Sequence, residues 1–430
     1  MVSAVLAAGL LISCLSAAAA EPAAGALSLD DYFAAALLRS EVVASQSELI
    51  QQAEERYQQA NASLLPSVNG VVSSLWQEPL PSATTSTSST LQSHQPLAKL
   101  MATQPLFRGF REFAALRQTR ALVDAQNADY QNARVQLFKD VAQNFYNVLS
   151  LEQDLKNLDE QIRQNLDREK EIQGRVRIGR SRTSELLTVQ TTVSTLRAQV
   201  QQLQGQLRVA REALAFLSGL EATTPLNDIE ALPAALEPQE TALSRLALRP
   251  DIKASQKRLT AAQENVSVAQ GAHLPSIDLN GNYYFRRPGV LDDVDWDVQI
   301  ALTVPIYAGG LLQSKKREAV SQRTQAELTA SQVTRQAEQE VRSLYQGLLF
   351  DQTQLEALGT ATEAARKNYE AQRHDYRLGL VTNLEVLQAL TAYQENQRAL
   401  DRARYNTKLD YVRLQAATAL RPDPSARTAP

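Results

Sequence analysis

The chain has 430 residues, a formal net charge of −3, 44% apolar residues and only 6% aromatic ones. Mixed charges with no basic, aromatic-studded patch exclude a nucleic-acid binder, and abundant Gln, Glu and Ala at low aromatic content favour long helices over a compact core. His94, His273 and His374 fall in three different elements; with no ligand-spaced cluster, phosphate loop or base-paired nucleophile, neither an enzyme nor a cofactor or metal site is expected.

Val2 to Leu15 is the one long uncharged apolar run, and SAAAAEPAAG follows it. This is the pattern of a secretory leader, residues 1–20, cleaved after Ala20, although the usual basic start is missing. Cys14, the sole cysteine, sits in LISC, which also resembles a lipoprotein cleavage box. Lipidation there stays open beside cleavage after Ala20. Neither route leaves a disulfide or a membrane-spanning helix in the mature chain.

Two repeats are expected, residues 21–220 and 241–420, joined by a linker at 221–240. Leu27 to Leu65 reads as one helix, or two with a kink near Ser40, with Ser28 as N-cap and Asp30 and Asp31 in the first turn. It ends in Leu65-Pro66-Ser67, after which strands are expected at about 67–78 and about 97–107. Val68, Val72 and Trp76 share one face of the first, and the Ser/Thr-rich PSATTSTSSTLQSHQP between the strands reads as an exposed loop. Pro105 to Pro225 contains no proline, so it is helical, broken only at VRIGRSRTSELL. There Gly179 ends one helix and Ser184 caps the next, making a hairpin with its tip at about 177–185.

Apolar residues at Val141, Phe145, Val148, Leu155 and Leu158, continued on the returning helix by Leu196, Val200, Leu203, Leu207, Ala210, Leu214 and Leu217, alternate steps of three and four. That spacing is a coiled-coil seam. From Gly109 to Ile178 the rod reaches roughly 100 Å at about 1.5 Å per residue.

Pro225, Pro233 and Pro238 make the linker irregular, and the second repeat then retraces the first. A helix runs from Thr241 to Leu274 with Pro250 at a fresh start, followed by Leu274-Pro275-Ser276 and strands at about 276–287 and about 295–307. Ile277, Leu279, Tyr283 and Phe285 alternate with Asp278, Asn280, Asn282 and Arg286; Trp296, Val298, Ile300, Leu302, Val304 and Ile306 alternate with Asp295, Asp297, Gln299 and Thr303. Such two-faced strands mark an outer-membrane barrel, with Trp76 and Trp296 placed for an interfacial belt. The proline-free stretch Pro305 to Pro422 is the second hairpin. Its tip, YRLGLVTNLEVL at about 377–385, has Gly379 as the stop and Thr382 with Asn383 as the cap. Gly179 and Gly379 are 200 positions apart (379 minus 179), and the same offset aligns Val141, Phe145 and Val148 with Val341, Tyr345 and Leu348. Residues 421–430 read as a disordered tail.

Four strands cannot close a membrane barrel, for which roughly eight is the minimum. The chain must therefore oligomerise, in two, three or four copies as far as the pattern goes. A coiled-coil scaffold in the periplasm is the competing reading, and it leaves the two-faced strands without a use.

In this order, and at this offset, the LLPS and LPS steps, LRPDI, QPLFRG, VPIYAGG and the paired glycine tips resemble the TolC-like outer membrane factor family, over Leu27 to Leu420. The resemblance implies a mainly α fold with membrane β: a homotrimer with four strands per chain in one barrel of twelve, in outer-membrane lipid, and long helical hairpins forming a periplasmic tunnel. It implies a passive duct that works with a periplasmic adaptor and an inner-membrane transporter in efflux or type I secretion. It implies a gate at the tips, with Glu185 and Tyr376 hydrogen-bonded between the hairpins, Ser184 beside them, and Glu385 in an acidic ring facing the lumen. Gly179, Arg180, Arg182, Gly379 and Leu380 are the expected adaptor contacts. Val381 departs from a gate-tying arginine and Gln388 from a second lumenal acid, so Arg180 or Arg182 is the expected substitute cation.

Overall fold

The structure is a computed structural model that describes residues 25–78, 94–233, 235–289 and 291–421. The expected leader with Cys14, all but the last three residues of the Ser/Thr-rich loop, and the tail beyond Arg421 lie outside the described residues. Two short helices open it, α1 (Leu29–Arg39) and α2 (Glu41–Ala62), and Ser40 ends one and caps the other, its side chain accepting from the Val43 amide. At the start of α1 the Ser28 side chain accepts from the Asp31 amide while the Asp31 carboxylate bonds back to Ser28, a complete capping box.

Strands β1 (Ser67–Trp76) and β2 (His94–Arg108) lead into α3 (Arg111–Arg177), which folds back as α4 (Thr183–Ser218). After the linker come α5 (Gln239–Ser244), a single 3-10 turn, α6 (Pro250–Gly271) with Pro250 in its first turn, β3 (Ser276–Arg286), β4 (Trp296–Thr303), α7 (Leu311–Leu378) and α8 (Asn383–Ala417). At 67 and 68 residues, α3 and α7 are each about 100 Å long.

Two strand bounds differ from expectation. β2 begins at His94, inside the stretch read as loop, because His94 pairs with Trp76 and stacks on its ring at 4.9 Å. β4 stops at Thr303 rather than near residue 307, because Thr303 faces Ser276, the first residue of β3. Beyond that pair the partner strand has turned away at Pro275, and Pro305 has no N–H to offer.

The four strands form one antiparallel sheet in the order β1-β2-β3-β4, open at both edges. Register pairs Gly70 with Leu100, Leu100 with Tyr283 and Tyr283 with Trp296. By alternation Val68, Val72, Trp76, Leu100, Tyr283, Phe285, Trp296, Val298, Ile300 and Leu302 therefore share one face. All ten are exposed, Val72 at 86% and Trp296 at 65%. Both tryptophans sit on this face at its loop end. The other face is polar and internally bonded: Lys99 to Asn282 at 2.9 Å, Thr103 to Asn280 at 3.0 Å, Asn282 and Tyr284 to Asp297 at 2.8 and 2.9 Å, and Arg108 to Asp278 at 2.8 Å.

Sheet meets helices at a backbone crossing. A Cβ on Gly109 would lie 2.2 Å from the Gly271 carbonyl oxygen, and Gly109 has φ of 68°, so the FRG step admits only glycine there.

The core lies at the middle of the rods. Phe33, Phe138, Val141, Phe145, Tyr146 and Val148 are fully buried, with edge-on ring pairs Phe33–Phe138 at 5.1 Å and Tyr32–Phe145 at 5.6 Å. A second cluster holds Ile252, Val341, Leu348 and Leu414. The linker wraps this waist: the Leu27 amide donates to the Pro225 carbonyl at 3.0 Å, the Asn227 amide to Leu27 at 2.8 Å, and Lys408 pairs with Asp228 at 2.6 Å. Arg421, expected in a free tail, is instead ion-paired with Glu230 and Asp30. Along the first hairpin the seam continues through Leu158, Leu196, Val200 and Leu203. Its counterparts Leu355 and Leu358 are only half-buried, because α3 packs on both α4 and α8 while the lower part of α7 has α8 alone.

Candidate functional site: the hairpin tips

Each rod is stopped by a left-handed glycine, Gly179 at φ 72° and Gly379 at φ 78°. Both tips close with the same two backbone bonds, Gly179 to Val176 and Arg180 to Arg175 in one, Gly379 to Tyr376 and Leu380 to Asp375 in the other. This pattern satisfies carbonyls that the helix end leaves free. The restarts differ. Thr382 caps α8, with the Glu385 carboxylate accepting from its amide at 2.6 Å and its hydroxyl at 2.8 Å. The N-cap of α4 is Arg182, whose side chain makes no capping bond, and Ser184, expected there, is exposed inside the first turn.

Tyr376 is buried, at 6% exposure. Its ring lies between two guanidinium groups of α3, Arg168 at 3.9 Å and Arg175 at 4.2 Å. Arg168, itself 6% exposed, also donates from Nε and a terminal nitrogen to Asn383 Oδ1 at 2.9 and 2.7 Å. Glu171 steadies both arginines, at 3.1 and 3.2 Å. One buried cation thus grips the last turn of α7 and the first turn of α8 from the neighbouring hairpin.

The expected bond between Glu185 and Tyr376 is not formed. Glu185 accepts from Ser181 at 2.7 Å within its own tip, and the Tyr376 hydroxyl has no side-chain partner among the described residues. Nor does Arg180 or Arg182 tie the second tip; both are exposed and unpaired among the described residues, and Arg168 and Arg175 hold the position instead. Glu385, Gln388 and Leu380 are exposed, and Val381 half-exposed. The Glu385 carboxyl is held below its ordinary range first by the Thr382 amide and then by the Thr382 hydroxyl.

Arg168 and Arg175 do not stand out in the sequence, and Asn383 reads only as part of a cap, not as the acceptor for Arg168. The available signal was the seam itself: from Leu158 the three-four rhythm continues through Gln161, Asn165, Arg168, Ile172 and Arg175, and all of these but Arg175 are buried. Polar residues at seam positions mark a specific polar partner. Above the clamp the same α3–α8 interface runs through Gln164–Gln394 at 2.9 Å, Asn157–Asp401 at 2.9 Å and Asp154, 2% exposed, between Arg398 and Arg402.

The family model described as outer membrane efflux protein matches residues 34–220 and 243–420. The pyoverdine export outer membrane protein OpmQ of Pseudomonas putida is 27% identical over 69% of this chain and 63% of its own, so this chain spans less than two thirds of that relative. The outer membrane protein TolC of Escherichia coli is 23% identical over 76% of this chain and 70% of its own. The crystal structure of the outer membrane protein VceC from Vibrio cholerae shares the fold, with a TM-score of 0.80 at 18% identity over 91% of this chain and 95% of that one. Both repeats are matched, with the linker falling between them, and the chain belongs to the outer membrane efflux protein family.

Proposed function

We propose that three copies of this chain form a passive exit duct. Their sheets close into one barrel in the outer membrane, and their hairpins line a tunnel across the periplasm. The sheet carries this reading: one face holds ten exposed apolar side chains, the other a bonded polar network, and both edges are unpaired. Lipid accepts the first face and a water-filled lumen the second, and only neighbouring copies satisfy the edges. Trp76 and Trp296 lie at the level of an interfacial belt.

The tips form the gate. Arg168 and Arg175 hold Tyr376 and Asn383, which keeps the two hairpins of a chain together; Glu185 and Ser184 shape the first tip, and Glu385 gives the mouth a carboxylate from each chain. Gly179, Arg180, Arg182, Gly379 and Leu380 form the surface that a periplasmic adaptor meets, and an inner-membrane transporter supplies the cargo. The duct itself performs no chemistry. Reconstitution into planar bilayers tests this: the purified protein is expected to give discrete conductance steps. Recovery in the soluble periplasmic fraction without detergent, together with a silent bilayer, would overturn it in favour of a scaffold.

A further inference from the structure

Resting on the reading of the apolar sheet face as the lipid-facing one, we infer that Arg286 is a binding point for the phosphate group of an outer-leaflet lipid. Simple alternation puts Arg286 with Asp278, Asn280 and Asn282 on the polar face. The register puts it on the other. Lys99 pairs with Tyr284 but Ala98 pairs with Arg286, so Phe285 is the extra residue of a β-bulge and the alternation of β3 slips by one beyond it. Ala98 shares the outward face with Leu100, and Arg286, as its partner, faces the same way. The neighbours on either side agree. Phe285 packs edge-on against outward Tyr283 at 5.3 Å, while Arg287 turns inward, its guanidinium 4.2 Å from the Tyr284 ring and 3.6 Å from Asp297.

A charge turned toward lipid is costly unless it meets an opposite charge. Of the Lys and Arg residues within the four strands, Lys99 and Arg108 face the polar side and are bonded there to Asn282 and Asp278. Arg286 alone faces outward. It is exposed and has no side-chain hydrogen bond or ion pair among the described residues, although Asp292 and Asp293 lie in the adjoining turn. Its depth is that of a headgroup. Counted along β2, its row at Ala98 lies two residues beyond the Trp296 row at Leu100 (100 minus 98) and four short of the Trp76 row at His94 (98 minus 94). Arg286 therefore sits inside the aromatic belt, where His94 also turns its imidazole outward, stacked on Trp76 and bonded to Ser74 at 2.7 Å. At the helix end the same face carries Val68, Ile277 and Leu302 and, among the described residues, no basic strand residue. The charge thus belongs to one leaflet, the outer. A planar guanidinium among aromatic rings at that depth fits a phosphate, which it holds by two parallel bonds.

The test uses the full-length detergent-solubilised protein, with binding read by native mass spectrometry, and three probes: diphosphorylated lipid A, the same glycolipid with its phosphates removed, and inorganic phosphate. The phosphorylated lipid is expected to bind, and to lose about tenfold in affinity with Arg286→Gln but much less with Arg286→Lys. Arg287→Gln, one position away but on the lumen side, is expected to leave that affinity unchanged. The melting temperature of the Arg286→Gln protein should match wild type, because the side chain makes no bond within the described chain, and this separates lipid binding from folding. Equal binding of the two glycolipids, an unchanged affinity or a lowered melting temperature in Arg286→Gln, an equal loss in Arg287→Gln, or displacement of the lipid by excess inorganic phosphate would overturn the inference. Conductance of the same preparations reads the duct separately: a conducting protein that binds both glycolipids alike removes this inference and leaves the duct, whereas a silent one removes the duct.

Discussion

Arg168 has no exposed role to play, so its position between Tyr376 and Asn383 is costly unless the contacts it makes are needed. Its stacking and charged hydrogen bonds together are worth about 2 kcal/mol, a shift of roughly thirtyfold between parted and joined tips. Arg168→Gln should therefore raise the open fraction of the reconstituted channel by about that factor. Tyr376→Phe keeps the ring and loses a hydroxyl that bonds to no side chain, so its conductance should match wild type, while Tyr376→Leu should behave like Arg168→Gln. A phenylalanine variant as leaky as the glutamine variant would show that the hydroxyl, not the clamp, holds the mouth. The clamp was only partly legible because its members come from positions 168, 175, 376 and 383. Local pattern gives the turn at each glycine; it does not say which side chain of one hairpin reaches the other.

Among the elements, the helices and their hairpins were readable because a sustained three-four rhythm, bounded by proline and glycine, has one structural solution. The strand ends were less so, since β2 and β4 end where a partner ends, not where their own alternation does. At the waist, Glu340 of α7 joins Lys139 of α3 at 2.6 Å and Arg249, before α6, at 2.8 Å; Arg249 also holds Asp251 at 2.7 Å and the Ala417 carbonyl of α8 at 3.1 Å. Burial pushes the Glu340 carboxyl up, but the bond and charge of Lys139 and then Arg249 outweigh it and leave the group below its ordinary 4.5. A carboxylate depressed by folding stabilises above its unfolded value and loses that contribution as pH falls through the folded one. The melting temperature should thus hold from neutral pH to about 4.5 and decline below it, a window in which other carboxylates share. Glu340→Gln should cost about 1 kcal/mol at pH 7, a modest value because its side chain is 34% exposed, and should flatten the acid decline. An unchanged melting temperature at pH 7 would mean that the knot does not bind the waist.

For the molecule as a whole, the sides of the rods repeat the message of the sheet. Val209 and Phe216 on α4 are 71% and 75% exposed, and Leu328 and Phe350 on α7 are 66% and 72% exposed, so both helices turn apolar side chains away from the rest of the chain. A heterologous contact that joins one flank to the other closes into a ring if the rotation permits, and the open edges of β1 and β4 ask for the same ring. The need for partners could be read from the strand count; the number of copies could not, because it depends on curvature that no single chain encodes locally. Native mass spectrometry of the detergent-extracted protein addresses that claim most directly. An assembly of three mature chains with no free monomer is expected, and a monomer that stays folded and soluble without detergent would contradict the shared barrel.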